Sequence, residues 1–193
     1  CQTMTGMWDD PKSHVGFVDL RPLADDKTVL KNPHKGWFWH YIDNGFGRRS
    51  YRDPAIHDPA DHCEDFPGLN HLYLRFDWGD IEKEEGVLDW SYIDSIMDEW
   101  GAKGYRFAFR ICTYEGSGEN DALRYATPKW VYDAGAKSIE LSGGRLEPVY
   151  SDPIYLEKLE NFIAAAAEHL SKYPVEFVDV GSLGSWGEGH SLE

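Results

Sequence analysis

The sequence predicts an α/β fold organised around a parallel sheet. Four segments have the apolar, alternating or aromatic-rich pattern of strands, and segments with helical periodicity lie between them. The predicted strands are residues 36–41, 71–78, 105–113 and 175–183. Strands that alternate with helices along a chain usually join one parallel sheet. The segment VGFVDL at 15–20 is a further candidate for an edge strand.

The first long helix is predicted at residues 89–104, because apolar residues recur there at spacings of three and four. These residues are Trp90, Ile93, Met97 and Trp100. Asp89 or Ser91 is suited to cap the start of this helix. Gly101 or Gly104 is suited to end it.

A second helix is predicted at residues 152–174. Asp152 is a favourable N-cap, and Pro153 at the first helical position loses no required hydrogen bond. Pro174 ends the pattern. The residues of the expected apolar face are Tyr155, Leu156, Leu159, Phe162, Ile163, Ala166 and Leu170.

The connection at residues 114–151 is long for an α/β unit, and loops of this length usually have a function. Its aromatic-rich segment TPKWVYDAGAK (127–137) predicts a turn of helix over one end of the sheet.

Four βα units amount to half of an eight-stranded (β/α)8 barrel, a fold of about 250 residues. The fold prediction is therefore the first four units of a parallel (β/α) barrel in residues 32–193, preceded by a tether and edge segment in residues 1–31. A half-barrel leaves two strand edges and one face uncovered. The expected partner for that surface is the other half of the barrel in the same natural chain, with a second copy of this chain as the alternative.

Composition restricts the ligands that suit this protein. With 34 acidic and 19 basic residues the net charge is −15, which disfavours nucleic acid and anionic membrane surfaces. Neutral or cationic small molecules remain compatible. The 8 Trp and 11 Tyr suit the C–H faces of sugar rings, although large aromatics more often serve the core. No apolar run approaches the ~20 residues that cross a bilayer.

The three cysteines are Cys1, Cys63 and Cys112. They form no CxxC pair, so the cysteine spacing does not predict a zinc or a redox motif. A cysteine as the first residue is typical of a bacterial lipoprotein, and predicts lipid attachment at Cys1 with a periplasmic or cell-surface location. An arbitrary sequence boundary explains Cys1 equally well. The segment 57–65 has metal-binding residue types, but it matches no zinc or calcium spacing and is interpreted as an acidic solvated loop.

Polar and aromatic residues end all four predicted strands, where the active sites of parallel α/β folds lie. They are His40, Tyr41, Arg75, Asp77, Trp78, Arg110, Thr113, Glu115, Ser185, Trp186, Glu188 and His190. Each residue taken alone is better explained as a surface ion pair or a core aromatic. Their coincidence at four strand ends predicts a functional site.

The candidate catalytic residue is Glu188, in the segment GSLGSWGEGH at 181–190. Its four glycines permit tight turns and close backbone approaches. A carboxyl held on such a turn is suited to act as general acid and base, because desolvation beside an indole favours the protonated form of a carboxyl. His190 is expected to hydrogen-bond to substrate or to tune this acid.

Several segments carry a family resemblance. They are NPHKGWFWH (32–40), LYLRFDWGDIEKEEGVLDWSYID (72–94), FRICT (109–113), TPKWVYDAGAK (127–137) and VDVGSLGSWGEGH (178–190). The most specific pattern consists of Trp78, Glu82, Glu85, Gly86, Asp89 and Trp90. The chain resembles clan A glycoside hydrolases in these segments, in particular the β-galactosidase-like barrels found among Bacteroidetes. The resemblance extends over most of the chain, from about residue 32 to 190.

The resemblance implies a (β/α)8 barrel with its acid/base glutamate at the end of the fourth strand, which is the position of Glu188. It implies a retaining hydrolase of a β-linked glycan, whose nucleophile lies at the end of a seventh strand outside this chain. It implies no cofactor and no metal. On this hypothesis the residues expected to bind sugar are His40, Arg75, Trp78, Arg110, Trp186 and His190. The sequence departs from the family at Gly187, where many clan A enzymes have an Asn that holds the sugar 2-hydroxyl.

Two other hypotheses fit the same residues. The first is a non-catalytic carbohydrate-binding protein derived from a glycosidase barrel, which Gly187 favours. The second is a metal-dependent barrel enzyme with His40, Glu188 and His190 as ligands.

Overall fold

The computed structural model describes residues 20–25, 27, 36–43, 46, 49–50, 65–115 and 125–190. The chain divides into two compact units, Cys1–Leu30 and Lys31–Glu193. The described part of the first unit contains an exposed 3-10 helix at Arg21–Leu23. The tether assigned to residues 1–31 stays a prediction, and the edge strand expected at 15–20 lies outside the described residues except for its last position.

The second unit is built on a five-stranded sheet. Its strands are β1 (Trp37–Asp43), β2 (Arg49–Ser50), β3 (Leu69–Asp77), β4 (Arg106–Cys112) and β7 (Val175–Asp179). The spatial order is β2-β1-β3-β4-β7, and all neighbours are parallel except β2 with β1. The four parallel strands correspond to the four predicted ones, so the α/β prediction is confirmed.

The helices are α1 (Trp78–Ile81), α2 (Ser91–Ala102), α3 (Lys129–Asp133) and α4 (Pro153–Leu170). The predicted turn of helix within 127–137 is α3. An antiparallel hairpin of β5 (Ser138–Glu140) and β6 (Leu146–Pro148) follows α3 and was not predicted. Each of its strands has only three residues, too few to show an alternation. Within the described residues, no helix combines the length and the apolar character that crossing a membrane requires.

The predicted N-cap Asp152 of α4 is confirmed, but α4 ends at Leu170, before the predicted Pro174, and the N-cap position of α2 is Trp90, with Asp89 one residue before it. The Asp152 carboxylate accepts from the backbone N–H groups of Ile154 and Tyr155, at 3.0 and 3.1 Å. Asp89 accepts from the backbone N–H of Ser91 at 3.0 Å and from its hydroxyl at 2.6 Å. After α2 the chain reverses at Gly104, whose φ of +86° favours glycine.

One face of the sheet packs against α2 and α4 and forms the core. Its fully buried strand residues include Leu72, Leu74, Phe76, Phe107 and Phe109, and α2 contributes Ile93, Ile96, Met97 and Trp100. Helix α4 contributes Tyr155, Leu159, Phe162, Ala166 and Leu170. The prediction was wrong for Leu156 and Ile163, which are 47% and 51% exposed because they lie beside the buried stripe of α4.

The opposite face of the sheet is rich in polar side chains. Period-two alternation and the strand register place these side chains together. We call this surface the polar face, and its residues are His40, His71, Tyr73, Arg75, Asp77, Arg110, Cys112 and Asp179.

Strand β7 forms an apolar edge of the described sheet. A groove of about 470 Å³ runs between β7 and α4. Ile163, Val178 and Val180 line this groove and are 51%, 54% and 92% exposed. These residues give the β7 side of the described sheet an exposed apolar surface.

Candidate functional site

The family-specific pattern of residues 78–90 builds a turn between β3 and α2. The buried Glu82 carboxylate accepts from the indole N–H of Trp78 and from the backbone N–H of Gly86, both at 2.7 Å. The indole N–H of Trp130 on α3 donates to the backbone carbonyl of Glu82 at 2.9 Å. Because Gly86 has a φ of +75°, the turn needs glycine there. These contacts give the pattern a structural role.

Trp78, which we predicted to bind sugar, is fully buried on the helix side of the sheet. Its ring stacks on Phe162 of α4 with centroids 5.3 Å apart. Trp78 follows Asp77 directly, and the alternation of the strand places it on the same side of the sheet as Phe76, away from the polar face. In this position Trp78 packs the core and has no surface open to a ligand.

Arg110 connects the polar face to the segment 181–190. Its Nε and Nη2 donate to Oδ2 of Asp179 at 3.2 and 3.0 Å. Its Nη1 donates to the backbone carbonyl of Trp186 at 3.4 Å and lies 3.5 Å from Oε1 of Glu188. The guanidinium therefore bridges a carboxylate on β7 and the carboxylate that follows β7.

Glu188 lies on a tight turn whose backbone closes on itself. The N–H of Ser185 donates to the carbonyl of His190 at 2.7 Å, and the N–H of Gly189 donates to the carbonyl of Leu183 at 2.9 Å. The N–H of Trp186 donates to the carbonyl of Tyr114 at 3.1 Å, which ties the turn to the chain that follows β4. The Glu188 side chain is 45% exposed at this turn.

Two glycines in the turn are sterically required. A Cβ at Gly184 would lie 2.5 Å from the backbone N of His190, and a Cβ at Gly187 would lie 2.4 Å from the carbonyl O of Gly181. Both glycines also have positive φ, of +75° and +69°. The backbone at position 187 therefore has no room for the Asn that many clan A glycoside hydrolases carry there.

Trp186 is the non-glycine residue with positive φ in the described part of the chain, at +55°. Such a conformation costs about 1–2 kcal/mol for an L-residue and is found preferentially at functional sites. The Trp186 ring lies 5.9 Å from that of His190, which is exposed. The indole and the imidazole therefore flank the Glu188 turn.

The structure brings together four predicted site residues, namely Arg110, Trp186, Glu188 and His190. His40 is exposed on the polar face and contacts Tyr73 edge-to-face at 5.0 Å. Arg75 is on the same face and pairs with Arg110 in the strand register, but it is 8% exposed. Which of these residues bind a ligand stays a prediction.

The sequence analysis missed Tyr73 and Asp179. The Tyr73 hydroxyl donates to Asp179 Oδ2, and burial, followed by this hydrogen bond, raises the Tyr73 pKa. The phenol therefore remains a donor across the neutral pH range. The alternation of LYLRFDW places Tyr73 on the face of Arg75 and was the available signal.

The metal hypothesis receives no support from the described residues. His40, Glu188 and His190 do not come together, because β3 and β4 separate β1 from β7 in the sheet. Three other potential ligands, Asp77, Cys112 and Glu115, are buried with their ligand atoms within 4.8 Å of one another. Burial, then the charges of Asp77 and Glu115, raise the pKa of the Cys112 thiol, which favours its protonated form. Residues 57–64 of the acidic segment and Cys1 lie outside the described residues.

Fold and site together define an α/β protein with a carboxylate presented beyond the last strand of a four-stranded parallel sheet, an arrangement consistent with part of a glycosidase barrel. No protein-family model matches the chain. The chain is similar to a β-galactosidase of Thermus thermophilus, with 24% identity over 110 residues. The matched region is 52% of this chain and 15% of that protein, so the chain corresponds to a small part of the relative's length. The similarity is distant and indicates a relationship to glycosidases.

Proposed function

We propose that this chain is part of a retaining glycoside hydrolase that cleaves a β-linked glycan, with Glu188 as general acid and base. The observation that carries this proposal is the half-exposed Glu188 carboxylate, held on a closed turn after β7 and 3.5 Å from Arg110. The distant similarity to a β-galactosidase supports the reaction class and makes β-galactosides the first substrates to test.

The reaction would proceed in two steps. Protonated Glu188 donates its proton to the glycosidic oxygen as the bond to the sugar breaks, and a second carboxylate attacks the anomeric carbon to form a glycosyl-enzyme. We place that second carboxylate outside this chain. Ionised Glu188 then takes a proton from water as the water displaces the enzyme carboxylate, which restores both groups.

The remaining site residues would bind the sugar. Trp186 and His190 flank Glu188 and offer ring faces to the apolar side of a sugar. His40 extends the site along the exposed part of the polar face. Arg75 and Arg110 are more buried, so their role is to orient neighbouring groups and sugar hydroxyls from below.

We further propose that additional βα units pack against β7. Each parallel strand of the described sheet is added on the same side of the preceding one, and the apolar groove beside β7 is where the next strand and its helix would follow. The mass of the polypeptide in its source cell tests this proposal, because a mass of 22.1 kDa would refute it. The same measurement shows whether Cys1 carries an acyl group, as an extracytoplasmic lipoprotein requires.

The test of the function uses the polypeptide as its source cell produces it and a panel of 4-nitrophenyl β-glycosides that begins with the galactoside. Glu188→Gln is expected to lower kcat by about 10²–10⁴-fold, the usual contribution of general acid–base catalysis. Glu160→Gln, which alters an exposed residue of α4, is the matched control. Azide should restore turnover of Glu188→Ala and yield a β-glycosyl azide, because azide needs no general base. Unchanged hydrolysis by Glu188→Gln would refute the assignment.

The second candidate is a carbohydrate-binding protein without catalysis, and the steric requirement for Gly187 favours it. It predicts that sugar affinity, measured by calorimetry, survives Glu188→Gln and that no glycoside of the panel is hydrolysed.

A further inference from the structure

Asp179 is the anchor of the hydrogen-bonded group beside Glu188. It lies opposite Arg110 in the β4–β7 register. Its Oδ2 accepts from Nε and Nη2 of Arg110, at 3.2 and 3.0 Å, and from the Tyr73 hydroxyl. Two of these donors come from β4 and one from β3, so a single carboxylate oxygen ties three strands together.

Arg110 is seated more closely on Asp179 than on the Glu188 turn. Its Nη1 contacts to the turn are 3.4 Å to the Trp186 carbonyl and 3.5 Å to Glu188. The stem of Arg110 also fits against Gly181, where a Cβ would lie 2.5 Å from its Cγ. The guanidinium is therefore held from the sheet and reaches toward Glu188.

Tyr73 supports this arrangement from the neighbouring strand. Its ring lies under the guanidinium, with the Arg110 Cζ 5.9 Å from the ring centroid. Its hydroxyl occupies one acceptor direction of Asp179 and limits the positions that the carboxylate can take.

We infer that Asp179 is a positioning residue for Glu188, acting through Arg110; this inference rests on the proposed function. With Asp179 ionised, the positive charge of Arg110 is shared between a carboxylate fixed on β7 and the carboxylate on the turn. Without the charge of Asp179, Glu188 is the remaining carboxylate that the structure shows paired with Arg110. The guanidinium then moves toward Glu188 and draws it away from the glycosidic oxygen.

The test compares two substrates of the source-cell polypeptide that differ in their need for an acid. The 2,4-dinitrophenolate of a 2,4-dinitrophenyl glycoside leaves without being protonated. The phenolate of a phenyl glycoside must be protonated as it leaves. Asp179→Asn is expected to lower kcat/KM on the phenyl glycoside by about 10–10²-fold, since displacement of a catalytic group by about 1 Å can cost up to about 10²-fold. The kcat/KM of the dinitrophenyl glycoside should be affected little, because this ratio reports the first step and not the second, in which Glu188 acts as base. Asp133→Asn, an exposed aspartate paired with Lys129, is the matched control.

Two further experiments distinguish a positioning role of Asp179 from an effect on folding. Tyr73→Phe removes only the hydroxyl and should give a smaller loss with the same dependence on the leaving group. In an Arg110→Ala background, Asp179→Asn should cause no additional loss, because its effect passes through Arg110. An equal loss on both substrates, or a full additional loss in that background, would overturn the inference.

The result also separates this inference from the proposed function. If the loss of activity in Glu188→Gln is the same for both leaving groups, the proposed function fails. If that loss depends on the leaving group in Glu188→Gln but not in Asp179→Asn, the positioning role alone fails. A crystal structure of Asp179→Asn gives a readout independent of turnover: Arg110 is expected to shift toward Glu188, and an unchanged position of both side chains would refute the role.

Discussion

Replacement of Glu82 provides a quantitative test of the turn between β3 and α2. Glu82→Ala removes the acceptor of the buried Trp78 indole N–H and of the Gly86 backbone N–H, both bonded at 2.7 Å. Hydrogen bonds to charged groups contribute about 1.5–3 kcal/mol each, so the expected loss in the free energy of unfolding is about 3–6 kcal/mol. Because domains are stable by only about 5–15 kcal/mol, this loss is large.

Glu82→Gln is the more discriminating variant. The amide keeps one oxygen acceptor and presents an NH₂ group to the second donor, so about half of the Ala loss is expected. Urea unfolding followed by circular dichroism and tryptophan fluorescence measures both values. Glu84→Ala, at an exposed neighbour in the same turn, should change stability by less than about 0.5 kcal/mol. A loss below about 1 kcal/mol for Glu82→Ala would refute the structural role of this carboxylate.

Two further predictions concern Gly187 and Cys112. Gly187→Asn should lower the free energy of unfolding, measured in urea, by more than about 2 kcal/mol because the side chain overpacks the turn. Gly143→Asn, at a similar φ of +76° with open space around it, should lower it by less than about 1 kcal/mol. Equal losses would contradict the steric argument. The buried Cys112 thiol should resist iodoacetamide at pH 8 until the protein unfolds. Peptide mass spectrometry distinguishes Cys112 from Cys1 and Cys63, and rapid labelling of Cys112 in the folded protein would contradict its placement. Folding raises the pKa of the Cys112 thiol. The contribution of this thiol to stability is therefore constant at pH values below its unfolded pKa of about 8.5 and is lost as the pH rises above that pKa. Cys112→Ala should weaken the decline in stability at alkaline pH.

The sequence was sufficient to predict the elements whose periodicity is long and regular. The strands around residues 71–78 and 105–113 alternate clearly, and the helix from Asp152 onward has both a cap and an apolar stripe. Regular patterns of this kind report local burial, and local burial is what determines such elements. The hairpin β5–β6 was missed because its strands have three residues each, of which those of β5 are all exposed, and so carry no such pattern.

The contacts within the site were less accessible from the sequence. Arg110 and Asp179 are 69 residues apart, and Tyr73 and Asp179 are 106 residues apart. Their pairing depends on strand order and register, which residue spacing does not encode. Trp78 was misplaced for a different reason: the alternation that puts Arg75 and Asp77 on the polar face puts Trp78 with Phe76 on the buried face, and this signal was overlooked.

The hydrogen bonds of the turn at residues 78–90 affect how relatives of this protein are recognised. The side chains that make this segment distinctive serve the fold, since Glu82 satisfies buried donors and Asp89 accepts from the first N–H of α2. Because these side chains hold a turn together, they are under selection for the fold whether or not Glu188 is present. A sequence match over this segment therefore reports shared ancestry and carries no information on activity.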